Sequence, residues 1–161
     1  MNFRNVKFTN ISINSRTLLN IISKDIFIDG LEVENIVGSG DSSDSSLIIF
    51  DSNESHNKLE INDMKIKNCQ TNGPLIKIKG YSNEVILKDA SINNVTSYGP
   101  VIDNTSVKST VNISNLIFTN NTNSNKNSCG NIHIQYQPSL SIQHSIFEKN
   151  INEGNGGALY V

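Results

Sequence analysis

Tryptophan is absent from this sequence of 161 residues, and cysteine, methionine and proline are scarce, at two, two and three. Two cysteines cannot staple a disulfide scaffold, and with only three histidines they are poor material for a metal site, so no metal or other cofactor is expected. Alanine occurs only at Ala90 and Ala158, and no window of a dozen residues carries an apolar stripe at helical spacing. Helix is therefore not expected. Arginine is confined to Arg4 and Arg16, and the formal net charge is -2. Such a chain has no electrostatic pull toward nucleic acid or an anionic membrane. No apolar run approaches the roughly 18 residues that span a bilayer, and the stretch MNFRNVKFTN (1–10) has no signal-type apolar core. At this length, one ordinary domain or a stack of short repeats fits within 1–161.

What the sequence does have is asparagine, serine and isoleucine in a recurring order. Short stretches in which an apolar residue is followed two positions later by Asn read NVKFTNI around Phe8, GLEVENI around Val33, DMKIKNC around Ile66, DASINNV around Ile92 and NLIFTNN around Phe118. A sixth copy, HSIFEKN around Phe147, places its Asn one residue later. The apolar anchors advance by 25, 33, 26, 26 and 29 residues. Asn10, Asn35, Asn68, Asn94, Asn120 and Asn150 thus form one column, and Asn5, Gly30, Asp63, Asp89, Asn115 and His144 form a second, turn-like one. Ahead of that second column apolar residues alternate with polar ones, as in Ile26 and Ile28, Leu59 and Ile61, or Val85 and Leu87. Period two means strand. After each Asn come a variable Gly/Ser/Asn stretch and another short apolar segment, such as GPVID (99–103) or GNIHI (130–134). Three short strands per copy, with like residues in columns, predict an all-β parallel solenoid of about six coils. The Asn column is expected to turn the chain through left-handed backbone and to pass shielded amide hydrogen bonds from coil to coil. Cys69, one place after Asn68 where other coils carry Ile11, Ile36 and Val95, is expected to be buried and free, two coils from Cys129.

Together these residues resemble the single-stranded right-handed parallel β-helix of pectin-lyase-like proteins, over nearly the whole chain. The closing SIFEKNINEGNGGALYV, with Phe147 to Asn150 as FxxN ahead of Gly156-Gly157-Ala158-Leu159, is similar to the repeats of the polymorphic outer membrane protein family, and Phe118 to Asn121 gives a second FxxN. That resemblance implies an extracellular or cell-surface, non-catalytic scaffold of adhesin type. The alternative it carries is a fragment of a pectin-lyase-like polysaccharide lyase or glycoside hydrolase. The apolar GGALYV (156–161) and the early Phe3 and Val6 lead to the expectation of a segment from a longer solenoid, with further coils of its own chain as partners.

Catalysis on such a fold needs charged groups from several coils to converge. Asp63 and Asp89 share a column and could share a cation, but that column reads as a turn. Lys65, Lys67, Lys77, Lys79 and Lys88 alternate with isoleucines and read as solvated strand faces. No histidine is expected to share a column with a carboxylate. Tyr81, Tyr98 and Tyr136 could stack on sugar rings or pack against loops. Recognition is expected from the two longest loops, 38–46 and 121–130, which leave one flank and contribute Asp41, Asp44, Asn123, Asn125 and Lys126. The partner expected there is a polysaccharide or a cell-surface protein. Of six N-x-Ser/Thr sequons, those at Asn53 and Asn104 are expected to be exposed and those at Asn94 and Asn120 shielded.

Overall fold

The computed structural model describes residues 1–41 and 45–161. The described residues form an all-β parallel solenoid of about six turns, with no helix among them. The first coil holds β1 (Asn2–Ile13) and β2 (Thr17–Ile22), the second β3 (Ile26–Gly38) and β4 (Ser46–Asp51), and the third β5 (His56–Thr71) and β6 (Ile76–Lys79). The fourth holds β7 (Ser82–Ser97) and β8 (Ile102–Asn104), and the fifth β9 (Lys108–Thr119), β10 (Thr122–Asn123) and β11 (Ile132–Ile134). The sixth holds β12 (Gln137–Gln143), β13 (Ile146–Glu148), β14 (Ile151–Asn152) and β15 (Leu159–Tyr160). Long strands stack into one sheet, β1-β3-β5-β7 continuing to β9 and its partners; the short ones stack as β2-β4-β6-β8-β11-β15. Every pairing is parallel, one coil upon the next.

The sequence columns are the structural register. Phe8, Val33, Ile66, Ile92, Phe118 and Phe147 pair in succession along the axis. Asn10, Asn35, Asn68, Asn94 and Asn120 all have φ between 54 and 56°, and Asn5, Asp63, Asp89, Asn115 and His144 have φ between 49 and 54°. Both columns are left-handed bends, a conformation that Asn and Asp tolerate better than other side-chain-bearing residues. In the second coil the place is taken by Gly30 at φ 75°, where an added Cβ would come within 2.7 Å of Asn5 Oδ1. Bent twice, each long strand wraps two sides of the core and the short strand closes the third. Inward residues such as Ile28, Leu31, Ile48, Leu59, Ile61, Met64, Leu75 and Phe118 are fully buried. No coil could bury them alone, which is why stacking stabilises the whole.

The Asn column differs from expectation in two respects. Its side chains are exposed, not shielded: Asn35 Nδ2 donates to Asn10 Oδ1 at 3.0 Å and Asn94 Nδ2 to Asn68 Oδ1 at 2.7 Å. A left-handed bend throws its side chain outward, so these amides bridge in water. In the sixth coil the bend is Lys149, at φ 54°, so Asn150 belongs one register place later, beside Asn121. There the chain places amides inward. Asn121 is fully buried, accepts the Val95 N–H at 3.0 Å and donates to the Ile92 carbonyl at 3.0 Å. Asn150 repeats this one coil on, accepting from Asn121 N–H at 2.9 Å and donating to the Phe118 carbonyl at 2.8 Å. These are the Asn residues of the two FxxN motifs.

Candidate functional site

The turn that follows the inner column sets the site. Gly38, Thr71, Ser97 and Asn123 pair in register, so the long strands of coils two to five end at the same corner of the solenoid. Thr71 and Ser97 bury hydroxyls that donate to the Gly73 and Gly99 carbonyls, at 2.7 and 2.6 Å, closing short turns. In the fifth coil the loop is longer and Asn123 organises it. Its Oδ1 accepts from the Gly99 and Asn125 N–H groups at 3.1 and 3.0 Å, and its Nδ2 donates to Ser128 Oγ and the Gly130 carbonyl, both at 2.8 Å.

Asn123 is therefore fully buried and structural, which corrects its assignment to a recognition surface. Asn125 is half-buried, with Oδ1 accepting the Asn127 N–H at 2.9 Å, while Lys126 and Asp41 are exposed. Asp44 lies outside the described residues.

Between this loop and the outer face of the short-strand sheet lies a cleft of about 360 Å³, lined among others by Tyr98, Asp103, Asn127, His133, Gln135 and Tyr160. His133 Nδ1 lies 2.9 Å from Asp103 Oδ1, with only 12 and 13% of these side chains exposed. The Tyr160 ring packs on the His133 ring, centroids 5.6 Å apart. This pair overturns the expectation that no histidine meets a carboxylate by column: Ile132 pairs with Ile102, so His133 falls on Asp103. Matching the glycines of GNIHI and GPVID sets His133 on Ile102; only the register of the strands, one residue off that match, sets it on Asp103.

Cys129 also lines the cleft, half-buried and free. Cys69 is free and buried, and burial raises its thiol pKa. Among the described residues no three His, Cys, Asp or Glu side chains gather as a metal site.

On the long-strand sheet several charges pair with one another. Lys7 meets Glu32 at 2.9 Å, Lys67 meets Glu34 at 3.1 Å and Lys65 meets Asp63 at 3.2 Å on the outer face of the long-strand sheet. The hydrogen bond between Lys7 and Glu32 raises the lysine pKa and lowers that of the carboxyl. Exposed pairs of this kind contribute little stability. Asp89 accepts from Asn115 Nδ2 at 2.6 Å, so the two acids of the bend column take separate partners.

The sequon residue Asn104 is buried, contrary to expectation, because its column (Ile78, Asn104, Ile134) faces the core. Asn53, Asn94 and Asn120 are exposed. Compared with protein-family models, curated proteins and solved structures, the chain has no significant match.

Proposed function

We propose that this chain is a non-catalytic, cell-surface or extracellular recognition scaffold of adhesin type, and that the cleft beside the loop 121–130 takes a saccharide. The observation that carries the reading is the lining itself. Planar polar groups at Asp103, Asn127, His133 and Gln135 stand beside two tyrosine rings, Tyr98 and Tyr160. Rings stack on the apolar faces of sugars, and planar amides and carboxylates pair with neighbouring hydroxyls. The rigid column of coils holds that surface without a conformational cost on binding. The resemblance to pectin-lyase-like and polymorphic outer membrane protein repeats supports the same reading, through the FxxN residues Phe118, Asn121, Phe147 and Asn150.

The second reading, a lyase or hydrolase fragment, is favoured by one observation, the largely buried imidazole oriented by Asp103. Glycan-array and cell-binding measurements on the full chain, with His133→Asn, Tyr160→Ala and a shortened 121–130 loop, test the proposal. Binding lost in all three supports it, and binding unchanged by all three refutes it. Incubation with pectins, alginates and chondroitins, followed by unsaturated-product absorbance and reducing ends, decides against the scaffold reading if turnover appears and disappears in His133→Asn.

A further inference from the structure

A different corner, where the short-strand sheet turns into the next long strand, carries its own chemistry. Tyr81, Val107 and Tyr136 each stand immediately before one of the paired residues Ser82, Lys108 and Gln137, so they lie on three consecutive coils. All three are exposed, at 46, 49 and 66%. Lys108 Nζ sits 5.3 Å from the centre of the Tyr81 ring. Tyr136 has φ 70°, whereas the other side-chain-bearing left-handed residues are Asn, Asp, Ser, His or Lys. For an aromatic residue that conformation is an outlier, and strain of this kind concentrates at functional surfaces. A groove of about 760 Å³ adjoins the ridge, lined by Ser82, Val107, Lys108, Thr110, Tyr136 and Ser139 among others, none of them acidic.

We propose that this groove binds a proline-rich segment in polyproline II conformation, running along the solenoid axis. Two features select that partner. The first is period. Tyr81 and Tyr136 are two coils apart, about 10 Å at the spacing of paired strands, and one three-residue turn of polyproline II rises about 9 Å. Prolines at i and i+3 fall on the two rings, with the intervening turn over Val107.

The second is hydrogen-bond sense. A proline strand presents carbonyl acceptors and no N–H, and the lining, which also holds His56 and Asn83, has no carboxylate and offers the Ser82, Ser109, Thr110 and Ser139 hydroxyls and the Lys108 ammonium as donors. Aromatic ridges flanking donors are a general mode of polyproline recognition.

Fluorescence anisotropy of labelled decaproline titrated with the full chain tests this, against a Gly-Ser peptide of equal length and with cellohexaose and chitohexaose as competitors. Saturable binding is expected, weakened about tenfold or more in Tyr81→Ala and in Tyr136→Asn, as for truncation of an aromatic anchor. Tyr136→Asn keeps a residue suited to the left-handed turn, so its thermal transition is expected at or above that of the parent chain. Shortening the loop 121–130 is expected to leave decaproline binding unchanged, which separates this site from the saccharide cleft. No saturation at millimolar peptide, equal binding of the Gly-Ser peptide, displacement by either oligosaccharide, or full affinity in both folded tyrosine variants would overturn the proposal.

Discussion

Coils three and four and coils five and six turn the same corner by different means. In the former, the residue after the left-handed bend is apolar, Cys69 or Val95, and the backbone ladder resumes at once: Cys69 pairs with Val95 and the strands β5 and β7 run unbroken through the bend. In the latter, that residue is Asn121 or Asn150, and the long strand splits into β9 and β10, then β13 and β14. The inward amide supplies the two hydrogen bonds that the ladder gives up there. The same geometric demand, satisfaction of backbone groups at a sharp bend, is thus met by main chain in one half and by side chain in the other. The outer face changes too. Lys7, Glu32 and Lys65 give way in the same column to Ser91, Ile117 and Ile146, the last two 47 and 54% exposed.

Breaking the side-chain solution should have the largest effect. Asn121→Leu leaves the Val95 N–H and the Ile92 carbonyl buried without partners, and a loss on the order of 3 kcal/mol is expected in urea melts. Imposing that solution where the main chain already serves should cost about 2 kcal/mol. Cys69→Asn buries an amide between intact strands, whereas Cys69→Val should stay within about 1 kcal/mol of the parent.

The outer column is the next test. Asn94→Leu should cost about 1 kcal/mol through left-handed backbone strain, and Asn94→Gly should be close to neutral. If Asn94→Gly proved as damaging as the leucine variant, the exposed amide bridge to Asn68 would be the stabilising element.

The smallest effect expected is on pH, and it falls on the first half of the chain. Asp25 is lowered in pKa by hydrogen bonds from Asn57 Nδ2 and the Lys58 N–H. Burial would raise Asp51, but the Asn53 N–H and Lys79 outweigh it and the net shift is downward. Carboxyls depressed in the folded state contribute stability that is present above their unfolded values and lost as pH falls through the folded ones. The thermal midpoint should therefore drop below about pH 4. Hydrogen exchange should locate the earliest opening in coils one to three, and the drop should flatten in Asp25→Asn and Asp51→Asn.

The coils, both bend columns and the buried cysteine could be read from the sequence because each repeats a residue type at a fixed place, and stacked strands turn periodicity directly into contact. What escaped was the direction of side chains at places where the column changes character. Asn123 and Asn104 resemble surface loop residues in composition, yet the register of Ser97 and Ile78 assigns them inward places. Asn150 matches the outer column in residue type, but a one-residue offset at a bend moves a side chain from water to core. His133 and Asp103 are thirty residues apart on short strands whose lead-in turns differ by one residue, so that matching the turn glycines sets His133 on Ile102 instead.

The perpendicular lie of the strands has a mechanical corollary. Tension applied along the stack loads the bonds between adjacent coils one after another, as in opening a zip, instead of all together in shear. A coil that peels away frees about 26 residues, the separation of Asn68 from Asn94, or on the order of 90 Å of contour length at full extension. Pulled from its ends, this molecule should yield in discrete steps at modest force and lengthen many-fold before it parts. The inward amides of Asn121 and Asn150 would mark where the last coils resist longest.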